Sequence, residues 1–331
     1  MMKHFFKHLA CACLAATAVG AQAQSSVTLF GLVDVSVGST KAPGGLRQTG
    51  VDSGKLTTSH FGFRGTEDLG GGLSAVFKLE GFFRADTGDS GRFSGDTLFS
   101  RNANVGLSSK SFGTVTLGRH TTPLFVSTLA FNAFGDSFGY SPSVRHYFSS
   151  GTVTGDSGWS DSILYSSPVF GGFKFGVAVA SKEGAGGQSN GGNWGLDAGY
   201  SSGPLAAAVV FQDVKKDGAT ALADTRTWQL NGAYDFGVAK AFAQFGEVEN
   251  RTVPNTYRIG GLGARVPVGA GALLAQWGRI SPDTGAGRNT LSLGYSHNLS
   301  RRTELYAVAM RDKLGSLSTG QSYSLGMRHR F

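Results

Sequence analysis

The stretch "YSLGMRHRF", Tyr323–Phe331, alternates up to its last residue. Tyr323, Leu325, Met327, His329 and Phe331 share one parity, while Ser324, Gly326, Arg328 and Arg330 share the other. A period of two marks a β-strand with one apolar and one polar face. Soluble chains usually end in polar, frayed residues. A strand that keeps two faces to a terminal phenylalanine needs a partner along its whole length.

Working outward, the same period recurs along the chain and a helical period is convincing nowhere. About sixteen segments alternate in this way. They include Ser26–Val37, Lys55–Gly65, Leu73–Arg84, Phe99–Leu107, Thr114–His120, Asp161–Ser167 and Thr303–Arg311, and they end with Tyr323–Phe331. Short turns such as "EDLGGG" (Glu67–Gly72), "DFGV" (Asp235–Val238) and "LSRR" (Leu299–Arg302) separate them. Between the short turns lie longer Gly/Ser/Asp-rich links, such as Gly38–Gly54, Lys182–Asn193 and Asp283–Arg288. Short turns at one end and long loops at the other are the pattern of an outer-membrane barrel. The expected fold is therefore all-β: a transmembrane antiparallel barrel in one domain, with short periplasmic turns and long extracellular loops. A soluble sandwich would alternate too, but a second sheet would cover one face of its strands. In lipid, only helices or closed barrels pair every backbone polar group, and an open edge strand would not. Closure pairs the last strand with the first, which explains the order demanded of Phe331.

The opening segment reads differently. Lys3 and Lys7 precede an apolar run, Leu9–Val19, and Ala21-Gln22-Ala23 has the small-x-small form of a signal-peptidase site. Residues 1–23 are expected to be a signal peptide and 24–331 the barrel. The apolar run is about half of the ~20 residues a spanning helix needs. Cys11 and Cys13, the two cysteines of the chain, both fall in this segment, so the exported part has no disulfide. Removing Lys3 and Lys7 takes the formal charge from +8 to +6. The basic residues are scattered singly rather than clustered, which argues against a nucleic-acid partner.

Several stretches resemble the general-diffusion porins of Gram-negative outer membranes. They are "SSVTLFGLVDVSVG" (Ser25–Gly38), "FGFRGTEDLGGGLSAVFKLEGFF" (Phe61–Phe83), "ANVGLSSKSFGTVTLGRHTTP" (Ala103–Pro123), "DSILYSSPVFGGFKFGVA" (Asp161–Ala178), "LSRRTELYAVAMRD" (Leu299–Asp312) and "SLGMRHRF" (Ser324–Phe331). The resemblance spans the exported chain in order. It implies a sixteen-stranded barrel in the outer membrane, a homotrimer surrounded by outer-membrane lipid, and a long third loop folded into the lumen. It also implies passive diffusion of inorganic ions and small hydrophilic solutes, without a cofactor or metal. Phe331 resembles the terminal signal read by the barrel-insertion machinery. Independently of the resemblance, about forty residues between His120 and Asp161 lack strand alternation and include "NAFGDSFGY" (Asn132–Tyr140), a functional loop by its length.

The chemistry expected of such a lumen is a transverse field between basic wall residues and an acidic loop. By position in "FSRNANVGL" the resemblance assigns Arg101 to that wall. Face parity adds Arg64, Lys78 and Arg84, and Arg119 follows beside the loop, with Asp136 opposite on the loop itself. Similar porins carry Ser-Arg where this chain has Ser59-His60, so His60 puts a titratable group at a place of permanent charge. Arg101 shares parity with Ala103, Val105 and Leu107, leaving Asn102 and Asn104 on the face that the resemblance assigns to the trimer contact. The expected function is a mildly anion-preferring diffusion channel. A substrate-specific channel would want an aromatic track in the lumen, and the aromatics mostly share the outward parity. A barrel enzyme would want paired Ser/His or Asp/His groups, and His297 in "GYSHN" has its serine on the opposite face.

Overall fold

A computed structural model of the chain describes residues 26–153, 155–181, 192–215 and 224–331. The expected signal segment and most of the Lys182–Asn193 link lie outside the described residues. Among the described residues, seventeen strand segments form one antiparallel sheet that closes on itself. β1 is Ser26–Lys41, β2 Arg47–Ser53, β3 His60–Gly70, β4 Leu73–Phe82, β5 Asn102–Ser109, β6 Gly113–Thr121 and β7 Gly158–Ser166. β8 is Phe173–Ala180, β9 Asn193–Ser202, β10 Leu205–Val214, β11 Thr225–Asp235 and β12 Lys240–Asn250. β13 is Asn255–Val268, β14 Gly271–Pro282, β15 Arg288–Asn298, β16 Thr303–Leu314 and β17 Gly320–Arg330.

The seventeen segments make sixteen staves, because β2 and β3 pair with successive lengths of the same strand, β1. Between them Gly54, with φ +71°, turns the chain out of the sheet. Leu56 and Thr57 then donate their amides to the inward carboxylate of Asp34, at 3.0 and 2.5 Å. The expected second strand, Lys55–Gly65, is therefore corrected at its start: Lys55–Ser59 is this excursion and pairing resumes at His60. Likewise the Gly38–Gly54 link is mostly a hairpin of β1 and β2, and only residues 283–287 separate β14 from β15. Long connections remain at residues 83–101 and 122–157.

Closure runs from Leu32↔Arg330 to Lys41↔Gln321 between β1 and β17. It continues into a reciprocal pair, Gly31 N–H to Phe331 O and Phe331 N–H to Gly31 O, both 3.1 Å. Side-chain burial is inverted relative to a soluble sheet. In β15, Ser292 is fully buried on the inner face while Leu293 is 52% exposed on the outer one. Leu262, Leu273, Leu291, Leu325 and Trp277 are among the apolar side chains exposed on the outer face, while serine, threonine, asparagine and glutamine line the inner one, joined beneath the loop by Val210, Val248, Leu274 and Val308. That is the arrangement of a sheet whose outer solvent is hydrocarbon.

Residues 122–157 cross the lumen, and they contain helix where the sequence showed only an absence of strand. Thr122 accepts from the Phe125 amide and Pro123 occupies the first turn, starting α1, Pro123–Ala130. Leu124 and Phe125 pack with Val144, Tyr147 and Phe148 against Val210, Val248, Ile259 and Ile280 of the wall. Polar ties complete the seat. Gln229 donates to Thr128 at 2.9 Å, Gln276 to Ser143 at 2.6 Å, and Tyr140 meets Ser324 at 2.5 Å. A short helical turn, Pro142–Val144, passes into a π-helical turn, Arg145–Ser149.

Asp312 anchors that turn. It accepts from Arg145 at 3.1 Å, from Arg288 Nε at 2.9 Å and from Thr290 at 3.0 Å. Arg145 thus pairs with the wall and not with the acidic residues of its own loop. Thr290 spends its proton on Asp312, so His146 Nε2 donates to Thr290 Oγ1 at 2.9 Å. The fully buried His146 keeps a lone pair on Nδ1 with no partner. Burial, reinforced by the Arg288 guanidinium, lowers this imidazole to about 3.

Two expectations follow from closure and from this anchor. Deleting Phe331 removes both hydrogen bonds to Gly31, and the truncated chain should still be exported but should yield much less folded barrel. The check is the heat-modifiable band in outer-membrane fractions, and a normal yield would sink the expectation. For His146, an unfolded histidine takes its proton near pH ~6.5, whereas the folded ring does so only near 3. Between those values the unfolded chain binds the extra proton, so this contribution is complete above ~6.5 and shrinks as pH falls toward 3. His146→Gln, which keeps a donor to Thr290, should flatten the fall in unfolding temperature between pH 6.5 and 4. Equal slopes for both proteins would refute the assignment.

Candidate functional site

Glu80 is the centre of the charged cluster. On β4 it has inward parity with Lys78 and Phe82, and its side chain is 2% exposed. Lys78 Nζ lies 2.7 Å from Oε2, Asn102 Nδ2 2.8 Å from Oε2, and Arg101 Nη1 3.0 Å from Oε1. A carboxylate this buried is stable because three donors occupy it. His60 enters from β3, opposite Phe82. Its Nδ1 meets the Thr58 carbonyl at 2.9 Å, so that nitrogen carries the proton, and Nε2 faces Glu80 Oε1 at 3.7 Å.

The lumen-crossing loop completes the cluster. Asp136 Oδ2 lies 3.7 Å from Arg101 Nη2, and its Oδ1 accepts from Thr57 Oγ1 at 2.8 Å. Thr57 in turn accepts from Arg328 Nη1 at 2.5 Å, and Arg328 pairs with Glu304. One continuous polar chain therefore runs Lys78–Glu80–Arg101–Asp136–Thr57–Arg328–Glu304. It joins β4, the residue before β5, the loop, the excursion after Gly54, β17 and β16.

Of the residues expected in the site, Arg101, Lys78, His60 and Asp136 come together here. Arg64 is inward too, one rung toward the short-turn end, cross-strand from Lys78 and stacked 5.1 Å from the Phe30 ring. Arg119 is not brought to the cluster. Its register with Ala103 gives it the outward face shared by Val105 and Leu117, where it donates to the Ser100 carbonyl at 2.6 Å and to Ser160 at 2.8 Å. Arg84 lies past the end of β4 and pairs with Asp89 at 2.9 Å.

The parity conflict at Arg101 disappears for a structural reason. β5 begins at Asn102, and Asn102 and Asn104 pair with inward Glu80 and Lys78. The asparagines thus face the lumen, correcting their expected outward placement. Arg101 precedes the ladder, is free of its alternation, and turns inward over the Phe82 ring at 5.7 Å. Glu80, Thr57 and Glu304 were missed as site residues. Glu80 was legible in principle, since its parity with Lys78 was plain. Thr57 was not, because its position depends on the break at Gly54.

A short-turn-side cavity of about 480 Å³ opens below this chain, between loop residues Ala133–Asp136 and the wall. Inward Arg265 and Arg330 line it beside Phe134 and Leu274. No group of His, Cys, Asp and Glu suited to a metal occurs among the described residues. His120 is buried between the hydroxyls of Ser162 and Thr116, each 2.8 Å away. The arrangement brings fixed charges of both signs to a water path.

A family model described as Gram-negative porin matches residues 10–316. Outer membrane porin protein 32 of Delftia acidovorans is 34% identical, the match covering 98% of this chain and 99% of that protein. An outer membrane porin protein of Bordetella pertussis is 29% identical, with the same coverage of each. Among solved structures, an anion-selective porin from Comamonas acidovorans superposes with a TM-score of 0.80 at 30% identity, covering 93% of this chain and all of that one. OmpT, an outer membrane protein of Vibrio cholerae, in its trimer form shares the fold, with a TM-score of 0.69 at 16% identity, covering 93% of this chain and 99% of that one.

Proposed function

Because this chain belongs to the Gram-negative porin family and is a passive-diffusion channel of the outer membrane, not an enzyme, we propose that its pore is mildly anion-preferring. The proposed constriction is formed by Arg101, Lys78 and His60 on the wall and Asp136 on the loop, with Arg64 at its short-turn mouth. The observation that carries the reading is the pairing of charges. Arg101 and Lys78 are balanced by Glu80 and Asp136, so the constriction is neutral in sum while His60 is neutral. Arg64, Arg265 and Arg330 face the lumen beside it with no carboxylate partner among the described residues. Their surplus favours anions, and the paired constriction keeps the preference modest. The relative solved from Comamonas acidovorans is itself named as anion-selective.

The proposed assembly is a homotrimer with its short turns in the periplasm, surrounded by outer-membrane lipid. Export requires cleavage of the expected signal peptide after Ala23, and Phe331 serves the insertion machinery as well as the closing ladder. Support for a protein contact comes from the outer wall near β5–β7. Arg119 and Ser160 place a charged, hydrogen-bonded pair there among lipid-facing residues. The neighbouring 83–101 connection exposes Phe93 and Leu98.

Reversal potentials across chloride gradients test the selectivity reading with two opposite substitutions. Arg101→Gln should lower the chloride-to-potassium permeability ratio about twofold, and Glu80→Gln, which frees Lys78 and Arg101, should raise it by a similar factor. Both effects should fade in 1 M salt, where fixed charge is screened within ~3 Å. Shifts of the same sign in both variants would overturn the reading. For assembly, native mass measurement in mild detergent should give three chains that separate only on boiling, and a monomer there would count against the trimer.

A further inference from the structure

The loop carboxylate of Asp136 stands between two cations and touches neither. Its Oδ2 stops 3.7 Å from Arg101 Nη2, whereas a charge-assisted bond of this kind closes to ~2.7–2.9 Å. Arg101 is itself fixed, donating to Glu80 at 3.0 Å and lying over the Phe82 ring. What keeps the pair apart is Thr57, whose hydroxyl donates to Asp136 Oδ1 at 2.8 Å while accepting from Arg328 at 2.5 Å. The two directions lead to different spaces. Asp136, Thr57 and Arg328 border the cavity of about 480 Å³ together with Arg265 and Arg330. Arg101 borders a separate recess, with Phe82, Phe125 and Phe138. Held by Thr57, the Asp136 charge faces the cavity; drawn onto Arg101, it would leave that space to the arginines.

Thr57 can do this only because its own backbone is fixed. The fully buried Asp34 of β1 accepts from the amides of Leu56 and Thr57 at 3.0 and 2.5 Å and from the Tyr306 hydroxyl at 2.6 Å. Its backbone ties both ends of the excursion: the Gly54 amide donates to the Asp34 carbonyl at 2.9 Å, and the Asp34 amide donates to Ser59 Oγ at 3.0 Å. The loop grips the same segment from the other side. Ser137 Oγ donates to the Lys55 carbonyl at 2.8 Å, and a Cβ added to Gly139 would lie 2.4 Å from that oxygen, so only glycine allows this approach. Lys55–Ser59 is thus a strap between wall and loop. Asp34 serves it by geometry, since an asparagine there could accept both amides on its carbonyl and turn its NH₂ to the Tyr306 oxygen.

We propose that Asp34 and Thr57 are positioning residues of the constriction: through the strap Lys55–Ser59 they hold Asp136 in the conducting path against the pull of Arg101. The consequence for ion choice rests on the channel reading. Without the Thr57 hydroxyl, Arg101 is the nearer cation to Asp136, because Arg328 lies beyond Thr57 and is already paired with Glu304. The carboxylate then closes on Arg101, and the path loses the negative charge that offsets its arginines.

Reversal potentials in potassium chloride and a crystal structure of Thr57→Val test the strap by independent routes. Thr57→Val, nearly isosteric but without the hydroxyl, should raise the chloride-to-potassium permeability ratio about twofold, as Asp136→Asn does, and should add nothing in the Asp136→Asn background. Thr57→Ser should match the wild type. Asp34→Ala should raise the ratio like Thr57→Val, while Asp34→Asn, which also removes a negative charge, should leave it unchanged. A merely electrostatic role for Asp34 predicts equal shifts in both Asp34 variants, and that result would overturn its assignment. In the crystal structure the Arg101–Asp136 separation should fall from 3.7 Å to ~2.8 Å. A separation still near the wild-type value, or a Thr57→Val effect that persists in Asp136→Asn, would overturn the proposal. A wild type that does not conduct refutes the channel alone, and the crystal structure still decides the strap.

Discussion

In hydrocarbon, each backbone N–H or C=O left without a partner costs several kcal/mol, and no water is available to supply one. A sheet in that medium cannot have an edge. The ladder between β1 and β17 is therefore the interaction on which the rest of the structure depends. It extends through Leu32↔Arg330 to the Gly31–Phe331 pair, beyond the regular strand of β17. Once the ring is closed, parity assigns every wall side chain to lipid or lumen. Leu291 and Leu293 then face outward and Thr290 and Ser292 inward without any further choice. A one-residue slip at the seam would exchange those faces around the strand.

Closure creates a second problem, since a ring of this size encloses more space than inward serine and threonine can fill. Residues 122–157 occupy part of it, and the way they do so shows which inward positions matter. Where the loop docks by apolar contact, the wall offers Val210, Ile259 and Ile280, inward residues that a purely aqueous wall would not carry. Gly263 and Gly294 leave room on the wall for Ala133 and Phe134, whose atoms would lie 3.4 and 3.2 Å from any added Cβ. Where the loop docks by charge, a single buried carboxylate, Asp312, holds two arginines and a threonine. The cluster tolerates His146 only as a neutral ring. Folding the loop inward and placing Asp136 opposite Arg101 are thus one event, because the same segment carries both.

Legibility in the sequence followed the ladder. Wherever a residue lies within regular pairing, a period of two reveals its face, as it did for Arg64 and Lys78. His60 also proved inward, but the reason was hidden, because the second stave breaks at Gly54 and restarts at His60 itself. Asn102 and Asn104 were given the outward face only because alternation was extended one residue before the start of β5, to Arg101, which turns inward from outside the ladder. Arg119 was assigned to the lumen by nearness to the loop in sequence, and its register with Ala103 decides otherwise. The helix at Pro123–Ala130 left a weak trace, since the face it leaves open carries apolar Val126 and Ala130 and so gives no amphipathic stripe. Pairings such as Asp136 with Thr57 connect residues 79 positions apart, and no local pattern encodes them.

Net charge is a poor guide to what an ion experiences in such a pore. The chain is formally +8, yet the charges nearest the proposed constriction largely cancel. Lys78 and Glu80, 2.7 Å apart, act on a passing ion as a dipole, and a dipole's field falls faster with distance than that of a single charge. Arg265 and Arg330 have no such partner, so each acts as a monopole, limited only by a screening length of ~8 Å at physiological salt. The residues that control passage at the loop need not be those that recruit anions to it. Pairing at the constriction allows an acidic and a basic group to hold the loop against the wall. The unpaired arginines below can then set the sign of the potential without loosening that contact. Selectivity and loop anchoring are separated in this way because Glu80 neutralises cations that would otherwise serve both.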